Sequence, residues 1–197
     1  MIDGRDRQRS KVYAWEERFV APCDPSTTAF AQAQGIVDAI WSEMGLCFPP
    51  KVEPLPRQAR STMADANRLT IRLAPTFPSW WLLHEIAHAM TSSHDGRSDG
   101  HGKKFMGLYV QLLTRYLRLP MDALSASVHD AGIEIDHRAV PVFLDASAST
   151  NVTLRTSPHG MQSSAAAHRT TRSSNMSLCG APPSGAKSLA RVDADTL

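Results

Sequence analysis

His84 and His88 stand four positions apart with Glu85 directly after the first, and this H-E-x-x-H spacing constrains the fold more than any other feature of the chain. Two imidazoles can serve one metal ion from positions i and i+4 when the backbone between them is helical, because those positions lie one turn apart on a common face. Glu85 falls about a hundred degrees around that helix, near enough for its carboxylate to hold and deprotonate a water on the ion. A hydrolytic zinc site takes three protein ligands and keeps a fourth position for water, so a third ligand has to come from elsewhere in the chain.

Two histidines compete for that place. His94 follows His88 after five intervening residues, which is metzincin spacing. There, however, the middle of the spacer is a glycine that lets the chain turn, and here it is Thr91, with no evident Met-turn downstream. His101 lies between Gly100 and Gly102, just ahead of a helix, where backbone freedom can carry the imidazole back to the metal. His101 is favoured and His94 is the alternative. Asp95 and Asp99 are candidate acceptors for a ligand histidine, although loop solvation accounts for both. Tyr109 and His94 are the candidate oxyanion donors by proximity in sequence alone, and Tyr109 reads more readily as a core aromatic. His129 and His137 are isolated and read as structural or solvated. Trp80 and Trp81 read as anchors of the motif helix in the core.

Periodicity gives the surrounding elements. Arg5 to Phe19 reads as a first helix with Val12, Trp15 and Phe19 along one side. Ser26 or Thr27 is expected to cap a second helix, whose apolar positions Phe30, Ala33, Val37, Ile40, Trp41 and Met44 keep helical spacing up to Gly45. Pro49-Pro50 opens an extended region. Arg60 to Asp65 and Arg68 to Leu73 read as a hairpin turning at Asp65-Ala66-Asn67, with Leu69, Ile71 and Leu73 alternating with polar residues. The motif helix is expected from Ser79 to Thr91, followed by a loop from Ser92 to Gly100. A long helix is expected from Gly102 to Leu119 with Phe105, Leu108, Tyr109, Leu112, Tyr116 and Leu119 as a packing stripe. A short last helix is expected from Met121 to Ala131, stopped by Gly132.

Apolar residues make up 42% of the 197-residue chain, which allows one packed domain. The composition shifts near Asp145 to Ser, Thr, Ala, Gly and Pro, so a domain over residues 1–145 and a disordered tail over 146–197 are expected. The tail's Arg155, Arg169, Arg172, Lys187 and Arg191 could touch nucleic acid, though plain solvation accounts for them. A formal charge of +2 is close to neutral and carries no strong claim about nucleic acid or membranes. No stretch approaches the roughly 18 apolar residues of a membrane span, and a cytoplasmic location is expected. Cys23, Cys47 and Cys179 form no C-x-x-C pair, which excludes a zinc ribbon, and they read as buried thiols.

The run from His84 to His88, with Gly100-His101-Gly102 and Phe105 after it, resembles the SprT-like zinc metalloproteases. It is similar still more closely to a family of actinobacterial and phage metallohydrolases, whose opening resembles Arg5 to Glu16 here. The resemblance spans roughly residues 5–140, with its specific motifs between 84 and 105. It implies a zincin-like α+β fold, with helices packed on a small antiparallel sheet and the H-E-x-x-H motif on a central helix. It implies Zn2+ held by His84, His88 and His101, Glu85 as the catalytic residue, and a protein or peptide substrate laid along the Arg60–Leu73 hairpin as an added strand. The chain lacks the cysteines of the nucleic-acid-binding zinc ribbon that SprT-like proteases commonly carry.

Overall fold

The computed structural model describes residues 6–56 and 64–143. The expected tail, Cys179 and positions 60–63 of the expected hairpin lie outside the described residues. In chain order the elements are α1 (Arg9–Trp15), continued by a π turn (Glu16–Val20) and a 3-10 turn (Ala21–Cys23), then β1 (Thr28–Ala29), α2 (Phe30–Glu43), β2 (Lys51–Pro54), β3 (Ala64–Ala66), β4 (Thr70–Leu73), β5 (Thr76–Phe77), α3 (Ser79–Thr91), α4 (Lys103–Tyr116) and α5 (Met121–Asp130). The chain is α+β, and among the described residues no helix is long and apolar enough to cross a membrane.

The sheet differs from the antiparallel one expected. Its strand order is β2-β4-β3, with β3 antiparallel to β4 and β2 parallel to it, Val52 opposite Ile71. The reason is topological: β3 reverses the chain after β2 and β4 reverses it again, so β4 runs the way β2 does. The hairpin turn also sits further along than expected. Asp65 and Ala66 are in β3, and the Asn67 side-chain oxygen accepts the amides of Leu69 and Thr70 at 2.9 Å each. Ile71 and Leu73 point into the core, whereas Leu69 is at the tip and 57% exposed.

A second, two-stranded ribbon joins β1 to β5, pairing Thr28 with Phe77 and Ala29 with Thr76. It places Ser26 and Asp24 at the start of α3 rather than α2. The Ser26 hydroxyl accepts the Ser79 amide at 3.1 Å, and Asp24 Oδ2 accepts the Trp80 amide at 2.9 Å. The expectation that Ser26 or Thr27 caps α2 is therefore corrected: α2 begins after Ala29, whose amide donates to Gln32 Oε1. These distant acceptors matter because helix N-termini expose unpaired amides and a partial positive charge, and α3 has Pro78 at its N-cap, with no side-chain cap of its own.

From Leu82 to Thr91 every side chain of α3 is buried, as befits a helix enclosed on all faces rather than amphipathic. It packs against α4, β3 and β4. Along α4 the residues Phe105, Leu108, Tyr109 and Leu112 are buried as their spacing predicts, while Tyr116 forms part of the rim. The first helix starts later than expected, at Arg9, and leaves regular α geometry at Glu16. Trp15 holds it in place: the ring is fully buried, edge-on to Tyr109, and its Nε1–H donates to Ser127 Oγ of α5 at 2.9 Å. Cys23 is half-buried and Cys47 exposed in the turn after α2, so neither is the buried thiol expected.

Candidate metal centre

Helical geometry carries His84 and His88 to one face of α3, where their Nε2 atoms lie 3.0 Å apart. The chain leaves α3 at Ser92, loops outward, and returns at Gly100, whose φ of +56° lies in the left-handed region that side chains disfavour. That return brings the His101 Nε2 to 3.3 Å from His84 Nε2. One ring nitrogen from each of the three residues lies within 4.8 Å of the other two, and together the three could hold a metal ion. His94 does not join them. It lies beyond the end of α3, its ring 6.4 Å from that of Phe143.

Two of the three separations fall near those of a small tetrahedral ion. Zinc–nitrogen distances of about 2.0–2.1 Å in tetrahedral geometry put neighbouring donor atoms about 3.3–3.4 Å apart, close to the two Nε2 separations found here. Beneath the three rings lies Phe105, fully buried on α4, with centroid distances of 4.4 Å to His88, 4.9 Å to His84 and 5.0 Å to His101. An apolar floor of this kind excludes water from one side and restricts the rings to turning towards one another. Glu85, next to His84 on α3, is also buried.

Two carboxylates missed in the sequence hold the far sides of the rings. Glu16, at the start of the π turn, puts Oε1 2.5 Å from His84 Nδ1, with both side chains essentially sealed from solvent at 1% and 0% exposure. Asp6 Oδ2 meets His101 Nδ1 and also accepts the His101 amide at 3.0 Å. An ionised carboxylate can only accept, so each Nδ1 donates, and in the neutral imidazole that single proton leaves the Nε2 lone pair facing the cluster. Burial pushes the Asp6 pKa up, but the hydrogen bonds from His101 and its charge outweigh this and hold the group below its ordinary value near 3.8. Tyr13 was also missed: its ring is edge-on to His101 at 5.0 Å and tilted against His84 at 5.9 Å.

Other expected candidates take different roles. Asp99 Oδ2 accepts the amides of Lys104 and Phe105, capping α4, and Asp95 pairs with Ser93 and Arg97. The Tyr109 ring packs against His84 and Phe105 and its hydroxyl meets the Trp80 carbonyl at 3.5 Å. Trp80 is buried, whereas His129 and His137 are exposed.

One signal in the sequence points to Glu16. It follows Val12 by four residues and so shares a face with it, and Val12 is on the apolar side of its helix. A carboxylate on such a face needs a buried donor. Asp6 carries no comparable local signal. Comparison with family models, with curated proteins and with solved structures finds no match to this chain.

Proposed function

We propose that this chain is a zinc-dependent hydrolase, a metallopeptidase in the first instance, with His84, His88 and His101 as ligands and Glu85 as general base, working in the cytoplasm. The observation that carries the reading is the convergence of three imidazole nitrogens, two of them from α3, the helix that also carries the buried Glu85. An all-imidazole set with tetrahedral spacing suits zinc better than a hard cation that prefers oxygen. Three ligands also leave one position for a reactant, as in hydrolytic sites. Bound there, zinc supplies Lewis acidity and lowers the pKa of a water from about 15.7 towards about 7.

Glu85 takes the proton from the water that attacks the substrate carbonyl carbon and passes it to the leaving nitrogen as the C–N bond breaks. Tyr13, touching two of the three rings, replaces Tyr109 and His94 as the candidate donor to the developing oxyanion. The edge strand β3, which packs on α3, offers a surface on which a peptide adds as a further strand. A zincin-like architecture belongs to the same proposal.

The enclosure of the cluster favours a second reading, a non-catalytic site that stabilises the fold: His88, the most exposed of the three rings, is only 6% exposed. Zinc analysis of the purified chain, with assays on unfolded proteins and on small amides, separates these readings. The enzyme binds about one equivalent, and Glu85→Gln keeps the zinc while turnover falls by about 10²–10⁴. Cleavage of small amides alone favours a non-peptide hydrolase. A bound zinc whose removal lowers stability, with no turnover to lose, favours the structural site, and failure of the wild type to take up zinc rejects both.

A further inference from the structure

We propose that the segment from Asp6 to Glu16 is a positioning element of the metal centre, with Glu16 and Asp6 fixing the imidazoles of His84 and His101. This rests on the metal reading above and assigns the site's outer support to a part of the chain distant in sequence from every ligand.

Glu16 is the stronger half of the argument. A carboxylate is costly to bury without a donor, yet this one is buried beside Trp15 and Val12 and directed at His84 Nδ1. His84 is also the middle member of the cluster, since its Nε2 is the atom within 3.0 Å of His88 and 3.3 Å of His101. Fixing that ring's tautomer and orientation therefore sets the geometry of both donor pairs. Hydrogen-bonded carboxylates behind ligand histidines orient the ring and raise its basicity, and their removal typically weakens metal binding.

Asp6 and Gln8 act on the third ligand in a different way. Asp6 meets both the amide and Nδ1 of His101, and Gln8 Nε2 donates to the His101 carbonyl at 3.0 Å. The main chain of His101 is thus held on both sides, and its ring on one, by residues 6–8. A Cβ added at Gly100 would stand 3.0 Å from Asp6 Oδ2, so the loop and the segment also fit closely in shape. Gln8 extends the contact to Glu134, accepting its amide while donating to its carbonyl.

Linkage makes the relationship reciprocal: if docking of residues 6–16 favours zinc, zinc favours that docking to the same degree. A helix that merely covers the core would stabilise the fold equally with and without metal. The experiment uses the full chain and measures zinc affinity against a chromophoric chelator, the absorption spectrum of the cobalt-substituted protein, and amide hydrogen exchange across residues 6–16 with and without zinc. Asp6→Ala and Glu16→Ala should each bind zinc roughly 10–100-fold more weakly and alter the cobalt spectrum. Glu16→Gln, which retains an acceptor of similar shape, should recover part of the loss. Zinc should slow exchange in the segment of the wild-type chain, a measurement that stands even if Glu16→Ala does not fold. Wild-type binding with unchanged affinity in the folded variants, or with unchanged exchange, overturns the positioning role and leaves the metal reading intact. A wild type that binds no zinc overturns both.

Discussion

A Cβ built on Gly107 would stand 1.9 Å from the carbonyl oxygen of Asp136. The middle of α4 and the 136–139 turn therefore meet backbone to backbone, and the Asp136 amide donates to Lys103 on the same helix at 2.9 Å. In an exposed helix interior, alanine in place of glycine stabilises by about 0.5–1 kcal/mol. Here overpacking costs about 1–3 kcal/mol or more and reverses the sign. Gly107→Ala should lower the urea midpoint; a raised or unchanged midpoint contradicts the close approach.

Asp24 supports α3 from outside its own sequence neighbourhood. It is buried, and besides the Trp80 amide it accepts that of Ser26 at 3.1 Å. Asp24→Ala should cost about 1–2 kcal/mol, the range for losing a helix N-terminal acceptor. Asp24→Asn keeps one acceptor oxygen in place of the two used here and should restore part of that. Equilibrium unfolding of the two variants beside the wild type gives the answer, and equal stabilities for all three contradict the capping role.

The choice between His101 and His94 is open to a direct comparison. On the proposed assignment His101→Ala removes a ligand and should weaken zinc binding by more than the roughly 10–100-fold expected of an outer carboxylate. His94→Ala, outside the cluster, should stay within about twofold, as surface substitutions do. Zinc at about a hundred times its dissociation constant should add about 2.7 kcal/mol to the wild-type stability, an increment that chelation removes. Thermal unfolding with and without zinc reads both effects, and the opposite ranking of the two variants reverses the ligand assignment.

Tyr116 gives the fold a signature in alkali. Burial, followed by donation of its hydroxyl to Glu43 Oε2 at 2.8 Å, raises its pKa to about 12, with Arg115 pulling the other way. A raised pKa means that the fold favours the protonated phenol. The contribution is complete below the unfolded value near 10 and is lost as pH rises through about 12. Phenolate absorbance should show a late-titrating tyrosine that is missing in Tyr116→Phe, and the variant's stability should fall less between those pH values. A wild-type chain whose tyrosines all titrate near 10 contradicts this.

What was legible in the sequence follows the range of the interactions. The bounds of α3 were readable because the motif, Ser79 and the flanking apolar residues all carry local periodicity. The β3–β4 hairpin was readable from its alternation. The parallel partner β2 was not, because a parallel pair has no turn of its own to announce it. Ser26 looked like a cap for the nearest helix, and only the β1–β5 ribbon redirects it to α3. In the site, the helical face gave His84 and His88, and flanking glycines gave His101. The Glu16–His84 and Asp6–His101 contacts bridge 68 and 95 positions, and no spacing rule reaches that far.

Those long bridges also order events during translation. Ribosomes add roughly 5–20 residues per second, so Asp6 waits roughly 5–20 s for His101 to be made. Throughout that interval the nascent α1 segment carries acidic groups whose eventual partners have not yet been synthesised. On the zinc reading, the set of three histidines is complete only when that wait ends, after most of the described residues have been made.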